Sequence, residues 1–226
     1  MTVIQFFRIV FDICFVFVFL KIFKRIDAAE SNTGYSDLQA LFLAARDGWG
    51  RGEIVEIGSY KGRSTIALAS GSKLALREKV LSIDPHSGGT LEVFRRNIAE
   101  RGLADYVITE VATSEQACKG FNGAVRLLFI DGLHDYKSVK QDIQLWKDRV
   151  IEGGLMAFHD YNYSTVYQAV KELTDSPGYV FEAEVGCTAF VSKGKSQNQD
   201  LFETIRVFNI LKRILFASTM VVECRK

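Results

Sequence analysis

The chain has 226 residues, 48% of them hydrophobic, which suits one α/β domain with modest additions and excludes disorder as the default. Lys and Arg number 28 against 27 Asp and Glu, a net +1, so no global charge draws the chain to nucleic acid. Cys14, Cys118, Cys187 and Cys224 lie far apart with no C-x-x-C, which reads as reduced thiols in a cytosolic setting, neither a disulfide frame nor a zinc site.

Residues from Val3 to Phe23 are strongly apolar, interrupted by Arg8 and Asp12 at a spacing that lets them pair on one helical face. The uninterrupted part is shorter than the ~20 residues of an ordinary span, and with Arg8 and Asp12 inside it becomes marginally long enough. The basic residues Lys21, Lys24 and Arg25 follow the apolar run, the reverse of a cleaved signal peptide. If the segment spans a membrane, they place the rest of the chain in the cytoplasm. An anchor lying on the inner membrane face and a helix packed on a second subunit are the other readings, and membrane association of some kind is favoured.

Next comes a turn at Asn32 to Gly34, then a helix capped by Ser36 that carries Leu38, Leu41, Phe42 and Ala45. Strands are expected at Ile54 to Ile57, Lys79 to Asp84, Tyr106 to Val111, Val125 to Ile130 and Leu155 to Phe158. Helices are expected from about Gly62, over Thr90–Arg101, Ser114–Lys119, Asp135–Val150 and Thr165–Leu173, with Gly153-Gly154 ending the fourth of these. Two last strands, Tyr179–Ala183 and Thr188–Ser192, have no long helix between them and should pair antiparallel. The tail from Asp200 to Lys226 puts Leu201, Phe202, Ile205, Phe208, Leu211 and Leu215 on one helical face. It would pack on the domain, on a twin, or on a membrane. The expected fold is therefore a doubly wound, Rossmann-like, mostly parallel α/β sheet of seven strands ending in an antiparallel hairpin, with apolar or amphipathic helices at both termini. The domain would cover 36–195, flanked by an N-terminal hydrophobic helix in 1–30 and an amphipathic helix in 199–226.

Ligands of such sheets bind beyond the carboxyl ends of the strands, so the residues that end each strand describe the site. The first strand ends in Glu56-Ile57-Gly58, followed by Ser59-Tyr60-Lys61-Gly62-Arg63-Ser64 at a helix start. Its glycines are spaced G-x-x-x-G, not the G-x-G-x-x-G that cradles a pyrophosphate, and Glu56 would repel one. A phosphate-free ligand carrying positive charge, such as S-adenosylmethionine, suits it better; an ordinary strand-turn-helix with a solvated Glu is the plainer alternative. Asp84 ends the second strand at roughly the offset, about 20 residues or a little more past Gly58, at which a carboxylate takes both hydroxyls of a ribose. Asp131 ends the fourth strand, and His159 with Asp160 the fifth.

The stretch Glu56 to Ser64 resembles the first motif of class I S-adenosylmethionine-dependent methyltransferases, in the form found in catechol-type O-methyltransferases. Phe129-Ile130-Asp131-Gly132-Leu133-His134-Asp135-Tyr136 and Gly153-Gly154-Leu155-Met156-Ala157-Phe158-His159-Asp160 resemble methyltransferase family 24. The similarity covers about residues 36 to 192. It implies that Glu56, Gly58, Tyr60 and Ser64 hold the methionine part of the cofactor and Asp84 the ribose, with Ser59, Gly62 and Asp131 also among the cofactor-binding residues. It also implies a divalent metal (Mg²⁺ or Mn²⁺) at Asp131, His159 and Asp160. His159 stands where the catechol-type enzymes have a carboxylate, which puts a purely oxygen-ligated Mg²⁺ site in question and leaves a mixed N/O site or no metal open. His134 occupies the place of the catechol-type lysine base, and His159 is a second candidate for that role.

The expected reaction is O-methylation of a small molecule, or of a hydroxyl on a glycan or lipid-linked sugar, with a membrane surface and a homo-oligomer as open partners. A scaffold that kept the cofactor fold without catalysis and a metal-dependent oxygenase-like relative are the rival readings.

Overall fold

The structure is a computed structural model that describes residues 33–216. The expectations for the apolar stretch before Thr33 and for the last ten residues lie outside the described part. Among the described residues no helix is long and apolar enough to cross a membrane.

The elements in order are α1 (Tyr35–Asp47), β1 (Glu53–Ile57), α2 (Arg63–Leu74), β2 (Val80–Ile83), α3 (Leu91–Ala99) and β3 (Val107–Glu110). Then follow α4 (Ser114–Gly120), β4 (Val125–Ile130), α5 (Tyr136–Trp146), β5 (Val150–Phe158), α6 (Ser164–Thr174), β6 (Tyr179–Val185), β7 (Thr188–Lys193) and α7 (Gln199–Phe216). They form one seven-stranded sheet in the order β3-β2-β1-β4-β5-β7-β6. β1 to β5 are parallel, and β7 runs antiparallel to both β5 and β6. This is the expected doubly wound sheet with its hairpin. Strand order reverses between β1 and β4, where two neighbouring strand ends diverge and leave a crevice.

The central strand β4 is buried along its whole length, which is why its sequence is continuous rather than alternating. One face of the sheet packs Leu38 and Phe42 of α1, Ile66 of α2, Phe94 of α3 and Leu201, Ile205 and Phe208 of α7. The other packs Val139, Ile143 and Trp146 of α5 and Val166 and Val170 of α6 against Leu128, Met156 and Phe158. Burying each such side chain stabilises the fold by roughly 1.5–3 kcal/mol.

Two local expectations need correction. Ser36 does not cap α1: Gly34 is the N-cap, and Ser36 lies inside the first turn. The double glycine does not end α5. That helix stops at Trp146, a 3-10 turn covers Lys147–Arg149, and β5 begins at Val150. Val125 pairs with Val150 but Leu127 with Leu155, so residues 151–154 form a bulge, and Gly153 takes the positive φ (+76°) that it requires.

Arg126, buried in β4, is a polar feature of the core. Its Nη1 and Nη2 donate to the carbonyls of Ala44 (3.2 Å) and Ala45 (2.5 Å), and its Nε donates to Glu78 (2.9 Å). Arg77 donates to the Arg46, Gly48 and Gly50 carbonyls. Two guanidinium groups thus satisfy the carbonyls at the end of α1, the helix that feeds β1. At the other end of α1, the buried carboxylate of Asp37 accepts from Cys187 N (2.7 Å) and Thr188 Oγ1 (2.8 Å), tying that end to the β6–β7 turn.

Candidate active site

A cleft of about 810 Å³ opens over the carboxyl ends of β1, β2, β3, β4 and β5. Its back wall is the turn after β1. Gly58 has φ +85°, and a Cβ there would stand 2.2 Å from the Asp131 carbonyl oxygen, so only glycine lets the β1 and β4 ends approach this closely. Tyr60 also takes a positive φ (+47°) without being glycine. Asp84 holds that turn: its Oδ2 accepts from the N–H groups of Ser59 (2.9 Å) and Tyr60 (2.8 Å), and its Oδ1 from His86 N (2.6 Å). A carboxylate has about four acceptor sites, so three backbone donors leave it one directed outward. Ser59 Oγ is buried in the wall with no partner.

Gly58, Ser59, Tyr60, Ser64, Asp84 and Asp131 all line the cleft. Gly62, in the left-handed conformation (φ +89°), is the N-cap of α2 and shapes the turn from below. Glu56 stands apart. It is fully buried behind the turn, where it accepts from Thr65 Oγ1 (2.5 Å) and Ser82 Oγ (3.1 Å), and it is absent from the cleft lining. Burial pushes its carboxyl up to about 7, against the pull of the Ser64, Thr65 and Ser82 hydroxyls. In this position it braces β1 against α2 and β2, while a ligand in the cleft meets the turn in front of it.

The β4 and β5 ends bring four titratable groups together. His134 Nε2 lies 3.0 Å from Asp160 Oδ2 and 3.6 Å from Asp131 Oδ1. His159 Nδ1 lies 3.1 Å from Asp131 Oδ1 and 3.3 Å from Asp160 Oδ2, out of alignment for a hydrogen bond. The two imidazoles differ in access: the His159 side chain is 3% exposed and the His134 side chain 43%. Asp160 has φ +53°, a strained conformation that Asp tolerates better than most residues, and its carbonyl accepts from Tyr163 N (2.8 Å). The loop bearing His134 is fixed from α6. Thr165 Oγ1 donates to the His134 carbonyl (2.6 Å), and the Tyr163 ring stacks parallel to the imidazole at 5.8 Å.

Charge explains the titration of this cluster. Burial would raise Asp131, but the two imidazoles hold it below its ordinary value. His134 is raised chiefly by Asp131, with Asp160 adding to it against partial burial. His159 would be lowered by burial, yet the carboxylates Asp131 and Asp160 push it up to about 9. Among the described residues, the ligand atoms of Asp131, His134 and Asp160 lie within 4.8 Å of one another and could hold a cation. The sequence-based set had His159 as the third member; the structure places His159 behind the carboxylates and His134 in front of them. Asp135 caps α5 through Ser138 N (3.1 Å) and takes no part in the cluster.

Residues 55–161 match the family model described as a methyltransferase domain. The sheet order is that of the Rossmann-like methyltransferase fold. Solved structures share the fold at low identity. A cofactor-bound protein from MTB superposes with a TM-score of 0.61 at 22% identity, covering 78% of this chain and 89% of that one. An O-methyltransferase from Bacillus cereus in complex with SAH gives 0.61 at 17%, covering 77% and 90%. The O-methyltransferase TomG from Streptomyces achromogenes in complex with SAM gives 0.60 at 14%, covering 77% and 87%. The matched methyltransferase segment runs from β1 to just past Asp160, so it contains the glycine turn and the whole His–Asp cluster.

Sequence reasoning did not anticipate Tyr163, Asp142 or the hold of Asp84 on the turn after β1. Asp142 lines the cleft from α5, and its one sequence signal is a carboxylate set among the buried positions Val139, Ile143 and Trp146.

Proposed function

We propose that this chain transfers a methyl group from S-adenosylmethionine to a hydroxyl of a small acceptor, with His134 as the base. The observation that carries this reading is the pairing of a partly exposed imidazole with two carboxylates, Asp160 at 3.0 Å and Asp131 at 3.6 Å, in the same cleft as the glycine turn after β1. The turn fits a cationic nucleoside. It holds Asp84 for a ribose, an unpartnered buried hydroxyl in Ser59, and a backbone that approaches closely at Gly58.

Adenosylmethionine, when bound, supplies an electrophilic methyl on a sulfonium, and the hard chemistry is its own. The protein aligns an acceptor oxygen behind that methyl and removes one proton. His134 is the exposed member of the cluster and so the one an acceptor can reach; the buried His159 positions Asp131 and Asp160 by charge. As the cluster stands, both carboxylates favour protonated imidazole, which cannot act as a base until its proton is gone.

Asp131, Asp160 and one imidazole also fit a divalent cation of Mg²⁺ or Mn²⁺ type, which would meet the charge of the carboxylates and polarise an acceptor hydroxyl. The donor set is mixed N/O, which leans toward Mn²⁺. Glycan and lipid-linked sugar acceptors remain within this proposal because the cleft is open at the His134 side, where Leu133 and Tyr163 are exposed.

The test is titration calorimetry with adenosylmethionine and adenosylhomocysteine, with and without Mn²⁺, followed by labelled-methyl transfer to a panel of hydroxylated acceptors. His134→Ala should bind cofactor as the parent does and lose transfer. Full transfer by that variant would remove His134 from the role.

A further inference from the structure

Thr33, where the described chain begins, is buried and lines the cleft, so the segment ahead of it joins the domain at the cleft end. From there α1 carries the chain away: its 13 residues rise about 20 Å toward the start of β1 at the opposite end of the sheet. In the sequence, Lys21, Lys24 and Arg25 stand at the end of the apolar stretch 3–23, and Arg25 is eight residues ahead of Thr33. Eight residues reach about 29 Å at most when fully extended. That is less than the roughly 40 Å that a domain of this size measures across. Whatever holds the apolar stretch therefore holds the cleft end nearer to it than the other end.

The cleft end has the composition of a water–lipid boundary. Leu133 lines the cleft yet is 70% exposed; Tyr60 is an exposed member of the same lining, and the exposed Tyr163 stacks on His134 beside them. Lys61 and Arg63 bring positive charge to the same lining. The carboxylates there are engaged: Asp131 and Asp160 face the two imidazoles, and Glu115 pairs with Lys119 at 2.8 Å. Tyrosine rings settle at headgroup level, and Lys and Arg are drawn to anionic lipids. Exposure alone does not choose this end, because Trp49, Leu74 and Leu76 are exposed where β1 and β2 begin. The short connection to Arg25 does.

We infer that the mouth of the cleft docks on an anionic lipid surface, with Leu133, Tyr60 and Tyr163 at headgroup level and the basic residues around them meeting the lipid charge. The inference concerns which way the cleft faces and stands apart from what the cleft catalyses.

The experiment uses the full chain and vesicles of equal parts phosphatidylcholine and phosphatidylglycerol, the phosphatidylcholine carrying brominated acyl chains that quench tryptophan on contact. Leu133→Trp and Leu76→Trp put a reporter at either end of the domain, both at exposed positions that need no room in the core. The parent, whose own tryptophans set the baseline, should cosediment with the vesicles, and at least about tenfold more weakly when phosphatidylglycerol is left out. The fluorescence added in Leu133→Trp should be quenched and that added in Leu76→Trp should not. A parent that stays in the supernatant overturns the inference, as does binding that ignores phosphatidylglycerol. Quenching of Leu76→Trp equal to or greater than that of Leu133→Trp overturns it too. A doubled mass in solution that Leu133→Trp abolishes would assign the face to a second copy and equally overturn it. Adenosylhomocysteine calorimetry without vesicles tests the methyl-transfer reading separately, so the two failures are distinguishable.

Discussion

His134 reaches Asp160 at 3.0 Å although one follows β4 and the other ends β5. The contact exists because β4 and β5 are parallel neighbours whose ends finish at the same level, with Ile130 opposite Phe158. Replacing Asp160 with Asn keeps the shape and removes the charge. The expected result is a loss of about 10²-fold or more in methyl transfer with unchanged adenosylhomocysteine affinity, measured with whichever acceptor supports turnover. An equal loss of cofactor affinity would instead place Asp160 in cofactor binding.

Asp131 and Asp160 supply the two carboxylates of the proposed cation site. An Asp131→Asn, Asp160→Asn double variant should lose Mn²⁺ binding, read by the free Mn²⁺ signal in electron paramagnetic resonance, while adenosylhomocysteine still binds. Undiminished Mn²⁺ uptake would locate the cation elsewhere.

Arg126 is fully enclosed, and burial pushes its guanidinium down to about 10, so it stays charged at neutral pH. Arg126→Met should lower unfolding free energy by about 3–5 kcal/mol, because Glu78 loses its buried partner and the Ala44 and Ala45 carbonyls lose their donors. Urea denaturation measures this, and a change under about 1 kcal/mol would mean that water replaces the guanidinium at little cost.

Glu56 gives a pH dependence with a definite sign. Its folded pKa, about 7, lies above the ordinary value of 4.5, so between those values the folded chain holds a proton that the unfolded chain has released. Stability from this group is fully present below pH 4.5 and is lost as the pH rises toward 7, by roughly 3 kcal/mol or less. Comparing urea midpoints at pH 5 and 7.5 in the parent and in Glu56→Gln isolates it. The variant should lose part of the downward slope; identical slopes would show that the carboxyl titrates normally.

The sheet was legible in the sequence because each strand is a short apolar run that stops at a polar residue, as at Ile83-Asp84 and Ile130-Asp131. Asp131, His159 and Asp160 of the His–Asp cluster were legible for the same reason, as strand-end residues, whereas His134 was reached through the resemblance to catechol-type enzymes. Their division of labour was not, because burial is a three-dimensional quantity: His134 and His159 look alike in sequence and differ by whether the Asp131 and Asp160 carboxylates lie in front of them or behind. Glu56 shows the same limit. A strand-end carboxylate reads as ligand-facing, yet the alternation of β1 turns it away from the cleft and onto Thr65 and Ser82. The double glycine at Gly153-Gly154 read as a helix stop because a bulge and a C-cap need the same left-handed backbone.

Asp84 joins the ligand-facing side of the cleft to the strained turn at Tyr60, so it carries the nucleoside reading more directly than any other residue. Calorimetry of adenosylhomocysteine against the parent and Asp84→Ala tests that reading. One molecule should bind per chain, and the variant should weaken binding at least about tenfold, the size of one charge-assisted hydrogen bond. No binding to the parent, or an affinity that the variant leaves unchanged, would contradict it.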